Sequence, residues 1–132
     1  RLDWDLFNVP HHCSYKSIGP DKGEDETAPT AHVQWLLEKR GRNRGFVVSS
    51  SCPIPDKGSD EDKNDQPPHR QAAAYYKKAA GLVDGKFKVT MQEPTAANPK
   101  PIVFEISRSG LRALTVPSVS STIGSSPIPR AG

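Results

Sequence analysis

Cysteine is scarce in this chain: its 132 residues include two, Cys13 and Cys52. Two thiols cannot build the disulfide framework on which small secreted domains depend, so a reducing intracellular setting is expected, with the cytoplasm favoured. Each cysteine follows an apolar run, and a bridge between them would need those runs to be adjacent parallel strands. Long apolar stretches are missing too, so no membrane segment is expected. The opening residues Arg1-Leu2-Asp3-Trp4-Asp5 carry neither an initiator methionine nor a charged-then-apolar leader. The sequence is therefore expected to be a piece of something longer, without a signal peptide. Hydrophobic residues make up 34% and mean hydropathy is −0.64, which is lean for a globule. With 13 prolines and 10 glycines, part of the length is expected to be loop or tail.

Several chemistries are disfavoured in the same way. No Gly-x-Ser-x-Gly elbow is present, so a serine nucleophile is not expected. Ser49-Ser50-Ser51 is read instead as satisfying backbone groups at a strand end. Asp56, Asp60, Glu61, Asp62 and Asp65 form an acidic cluster, but their spacing does not fit a calcium-binding EF-hand, and a solvated loop is expected. No internal repeat is visible. The formal charge of +3 and pI near 9.0 permit an anionic partner without demanding one. Lys77, Lys78, Lys86, Lys88 and Lys100 could guide a polyanion, but sequence does not fix their faces.

What is present has a clear order. Residues 5–10 form an apolar run that reads as a buried strand, and residues 14–29 are a polar loop. Thr30 is a candidate N-cap, and Val33, Leu36 and Leu37 at helical spacing predict a helix over 31–40 ending at Gly41. Phe46 to Ser50 reads as a second buried strand, followed by a long polar loop over 53–68. His69 opens a second helix, over 70–80. Strand, helix, strand, helix implies a parallel βαβα unit. Beyond Gly81, Phe87, Val89 and Met91 alternate with Lys88 and Thr90, and Ile102, Phe104 and Ile106 with Val103 and Glu105, which predicts an antiparallel hairpin joining these runs, with a third short strand at 111–114. Residues 1–114 are expected to form the folded unit and 115–132 a Ser/Pro-rich tail.

Three chemistry-bearing elements converge on one rim of such a unit. His11 and His12 close the first strand, the serines close the second, and His69 opens the second helix. In parallel α/β sheets the carboxyl ends of strands and the amino ends of the following helices share one side, where sites are built. A helix N-terminus there favours an anion such as phosphate. His32 is read as a helix-face residue and Cys52 as a packed small side chain.

Val9-Pro10-His11-His12-Cys13-Ser14 resembles the V-x-HHGS element of metallo-β-lactamase-fold hydrolases, and the group it is most similar to is the ComEC-like one. Asp5-Leu6-Phe7 stands where that group has D-V/L-L, Phe46 to Ser51 matches its next strand, and Pro67-Pro68-His69-Arg70 its His-Pro-His segment. The match covers residues 3–80. It implies an α/β fold that is the C-terminal half of an αββα sandwich, and a metal site, usually two Zn2+ ions, with Mn2+ as an alternative. By the family pattern one of His11 and His12 is a metal ligand, His12 in preference. The other contacts substrate or supports the site, while His69 is a catalytic residue near the substrate phosphate or behind it. Three features depart from the pattern: Cys13 replaces the usual Gly, Pro68 replaces the first His of His-Pro-His, and H-x-H-x-D-H is absent.

The resemblance thus implies the C-terminal portion of a metal-dependent hydrolase acting on phosphoester bonds, in nucleic acid or nucleotide. Zinc sites take three or four protein ligands, and this chain offers two or three candidates. Activity would then need an upstream half of the domain, or a second chain, carrying H-x-H-x-D-H, and this chain alone would be inactive. The alternative is a non-catalytic docking module for protein or nucleic acid, derived from the same fold.

Overall fold

The computed structural model describes residues 2–114; the predicted tail at 115–132 lies outside them. Trp4–Val9 forms β1, Ala31–Lys39 α1, Gly41–Ser49 β2, Arg70–Leu82 α2 and Lys86–Val89 β3, followed by β4 at Val103–Ser107 and β5 at Gly110–Leu114. The architecture is mixed α/β, with two helices and two sheets. β1, β2 and β3 lie in that order in one sheet and both pairings are parallel. Each helix is the crossover between consecutive parallel strands, a link that needs a dozen or more residues.

The two faces of the sheet follow from its register. Phe7, Val47 and Phe87 align across the strands, and so do Leu6, Phe46 and Lys86. Alternate residues point to opposite faces, so these rows look in opposite directions. The first row meets α2: Tyr76 stacks on Phe87 at 6.3 Å and tilts against Phe7 at 6.4 Å between ring centroids. The second row meets the β4–β5 hairpin, where Phe46 and Phe104 make an edge contact at 5.0 Å.

The core lies between helices and sheet. α2 buries Ala72, Ala73, Ala79 and Ala80, whose small side chains let it approach the strands, together with Tyr75 and Tyr76. The Tyr75 hydroxyl donates to Glu38 Oε2 at 3.0 Å, joining the two helices. Burial, and then the Glu38 carboxylate, push that phenol well above its ordinary range. From α1 only Leu37 is fully buried. Truncating it to Ala should cost about 2–5 kcal/mol. Trp4 anchors the start of the sheet, its indole donating to Leu36 O at 2.9 Å.

Two expectations need correction. The run over 86–91 does not turn back to pair with 102–106. β3 extends the parallel sheet, and the antiparallel hairpin is β4 with β5. The cause is connectivity: α2 supplies the crossover that parallel pairing needs, whereas Ser107 and Gly110 are joined by Arg108-Ser109, the two-residue link of a tight hairpin. β2 also begins earlier than the apolar run suggests. Trp4 pairs with Gly41 and Leu6 with Phe46, so five steps along β2 oppose two along β1. The polar residues Arg42 to Gly45 form the resulting bulge.

Candidate functional site

β1 ends at buried Val9, and Pro10 opens a short 3₁₀ turn over Pro10–His12. His11, His12 and Cys13 then follow one another with φ of 51°, 52° and 69°. All three are left-handed, a conformation costing a non-glycine residue about 1–2 kcal/mol. A φ like that of Cys13 is one that glycine adopts without strain. Strain of this kind persists only where surrounding contacts impose it.

Those contacts lie mainly on the inner side. Cys13 is completely buried, and its carbonyl accepts from the His69 backbone N–H at 3.0 Å. Burial pushes its thiol up to about 12, against a smaller opposing effect from a hydrogen bond with Ser49. Cys13 is therefore a packed side chain whose thiol stays protonated. Ser49 and Ser51 join their hydroxyls at 2.8 Å, satisfying each other within the protein. Cys52, expected to pack, is exposed, and both cysteines are free.

On the outer side, His11 and His12 are both exposed. His11 Nδ1 lies 3.0 Å from Ser17 Oγ. His12 Nδ1 lies 2.7 Å from the Ser50 carbonyl oxygen. A carbonyl can only accept, so His12 donates through Nδ1, and in the neutral ring the lone pair is then on Nε2. Histidines that bind metals are commonly oriented in this way, by donating the other nitrogen to a carbonyl or carboxylate.

His69 is placed differently. Predicted to open α2, it stands at the N-cap position and is 4% exposed. Its Nδ1 accepts from the Tyr15 backbone N–H at 3.3 Å, and its Nε2 donates to the Asp65 carbonyl at 3.1 Å. The Tyr15 ring meets the imidazole edge-on at 5.1 Å. Both nitrogens are thus held by backbone groups, as a neutral ring. Burial pushes its pKa below the ordinary 6.5, outweighing the opposing effect of the Asp65 carbonyl.

The rim therefore brings together His11, His12, the serines and His69, in two layers: two exposed imidazoles outside, and the buried His69 beneath, tied to the same turn. Sequence reasoning missed Arg70. Its guanidinium lies 2.9 Å from Asp62 and 3.1 Å from Asp25, and donates to Glu24 O at 3.0 Å, drawing two loops onto the first turn of α2. The acidic loop is accordingly pinned at Asp62, whose carboxyl is held below its ordinary value first by the Gly58 backbone N–H and then by Arg70. The loop partners lie 8 and 45 residues from Arg70, and no local spacing rule signals them.

His12 is exposed and bonded through Nδ1, and the exposed His11 precedes it in sequence. Among the described residues no group of three or more His, Cys, Asp or Glu stands close enough to hold a metal ion. No helix of the described residues is long and apolar enough to cross a membrane. Comparison with protein-family models, with curated proteins and with solved structures finds no match for this chain.

Proposed function

We propose that this chain is the C-terminal half of a metal-dependent hydrolase of the metallo-β-lactamase fold, ComEC-like in type, acting on phosphoester bonds of nucleic acid or nucleotides. The observation that carries this reading is the tautomer of His12. A strained turn at a strand's carboxyl end exposes an imidazole that donates its Nδ1 proton to Ser50 O, which leaves Nε2 as the lone-pair nitrogen of the neutral ring.

His12 would hold a zinc or manganese ion through Nε2, and His11 would complete the shell or contact substrate. Bound metal would supply a water of lowered pKa and polarise the phosphoryl oxygen. The remaining donors would come from a segment carrying H-x-H-x-D-H, upstream in the same polypeptide or on a second chain. His69 acts as a positioning residue: its backbone N–H holds Cys13 O and its ring holds Tyr15 and Asp65, fixing the turn that presents the two exposed histidines. The N-terminus of α2, which has no side-chain cap, favours the substrate's negative charge nearby.

Native mass spectrometry of the protein isolated from its source tests this. The expected result is a species heavier than 14.4 kDa that carries zinc-sized increments and hydrolyses a phosphodiester. A metal-free 14.4 kDa chain would overturn the reading and leave the docking module in its place.

A further inference from the structure

A second polar site lies away from the histidine rim, on the other face of the sheet. Lys86 and Lys88 alternate with Phe87 and Val89 along β3. With Phe87 directed at α2, the two lysines look toward the hairpin. There they line a cavity of about 480 Å³, together with Arg44 from the β2 bulge and Arg112 from β5. The volume falls within the roughly 300–1,000 Å³ usual for small-molecule sites.

The bulge is built in. Arg44 has a φ of 64°, and its N–H donates to Val83 O at 2.6 Å. Behind it, the backbones of Gly45 and Gly85 approach so closely that a Cβ on Gly85 would strike Gly45 O. Bulges of this kind re-aim side chains. Two of the four cations are balanced: Arg112 by Glu105 at 2.6 Å and Lys88 by Glu93 at 3.2 Å. Arg44 and Lys86 have no acidic partner among the described residues. The wall also holds two carboxylates. Asp5 lies 3.8 Å from Arg42, and Asp84 has no cationic partner among the described residues. Phe46 and Leu111 supply an apolar floor.

We infer that this cavity binds a mononucleotide. The phosphate lies between Arg44 and Lys86, Asp84 accepts from sugar hydroxyls, and the base rests on Phe46. Each component of that ligand meets a group of matching chemistry, and Arg44 and Lys86, set against the unpaired Asp84 carboxylate, leave the cavity with an excess of positive charge for the phosphate. The inference does not depend on the metal-site reading, because it uses other residues on another face.

Calorimetric titration of the full chain with AMP, in low salt and excess chelator, tests it. Saturable binding is expected, and Arg44→Gly and Lys86→Glu should each weaken it by about tenfold. Arg44→Gly keeps the fold, because glycine accepts the positive φ. Adenosine and inorganic phosphate should each bind at least about tenfold more weakly than AMP, since each offers only part of the contacts. Absent AMP binding, equal affinity in both variants, or adenosine or phosphate matching AMP would each overturn the assignment. A loss on His12→Ala that equals the loss on Arg44→Gly would place the nucleotide at the rim and overturn it as well.

Discussion

His12 and His69 belong to neighbouring segments of one rim, yet they are held in opposite tautomers. His12, exposed on a strained turn, has its proton on Nδ1 and a free lone pair on Nε2. His69, buried at the start of α2, has its proton on Nε2 and its Nδ1 lone pair occupied by a backbone N–H. Residue type is the same, and the difference is which backbone groups surround each ring. An imidazole with both nitrogens bonded inside the protein supports structure, whereas one anchored through a single nitrogen can serve chemistry.

The strongest way to break this comparison is to remove each ring in turn. His69→Ala would leave the Tyr15 N–H and the Asp65 carbonyl unpaired beside a new cavity. It should destabilise the fold by about 2–4 kcal/mol in urea denaturation. His12→Ala removes an exposed ring and should cost under about 1 kcal/mol. Equal costs would mean that the two histidines do not differ as described.

Acid titration sharpens it further. The folded pKa of His69 lies below 6.5, so in that range the unfolded chain binds more protons than the folded one. Stability contributed by the neutral ring is fully present above pH 6.5 and is lost as pH falls toward the lower folded pKa, with a slope of up to about 1.4 kcal/mol per pH unit. Asp25 and Asp62, held below their ordinary values chiefly by Lys57 and by the Gly58 N–H respectively, lose their contributions in the same direction at more acidic pH. His69→Gln should flatten the loss that begins near pH 6.5 and leave the acidic limb. An unchanged profile near pH 6.5 would assign the dependence to other groups.

A smaller effect of opposite sign is expected at the turn. His11→Gly relieves a left-handed residue whose ring is exposed, so the fold should gain about 0.5–1 kcal/mol despite the lost contact with Ser17. Destabilisation would show that the ring, and not the backbone strain, dominates at that position. A gain would fit strain retained for a functional purpose.

Much of the frame was legible in the sequence, for reasons that also mark where legibility ends. β1, α1 and α2 follow from apolar runs and helical spacing, and Pro10-His11-His12 falls at a strand end as expected. The pairing of 86–89 was not legible, because the alternation of Phe87 and Val89 with lysines is the same in an edge strand of a parallel sheet as in a hairpin. The start of β2 was hidden by Arg42-Asn43-Arg44, whose polarity belongs to a bulge. The site residues were legible as types and positions, but not as roles. What distinguishes His12 from His69 are carbonyls and N–H groups of Ser50, Tyr15 and Asp65, and backbone groups are the same in every sequence.

The most direct measurement is a long-range 1H–15N correlation spectrum of the histidine rings, recorded before and during Zn2+ titration. The account predicts Nδ1-protonated His12 and Nε2-protonated His69 at the outset, with zinc shifting the His12 Nε2 resonance and leaving His69 unchanged. A His12 ring protonated on Nε2, or a zinc response at His69 without one at His12, would contradict it.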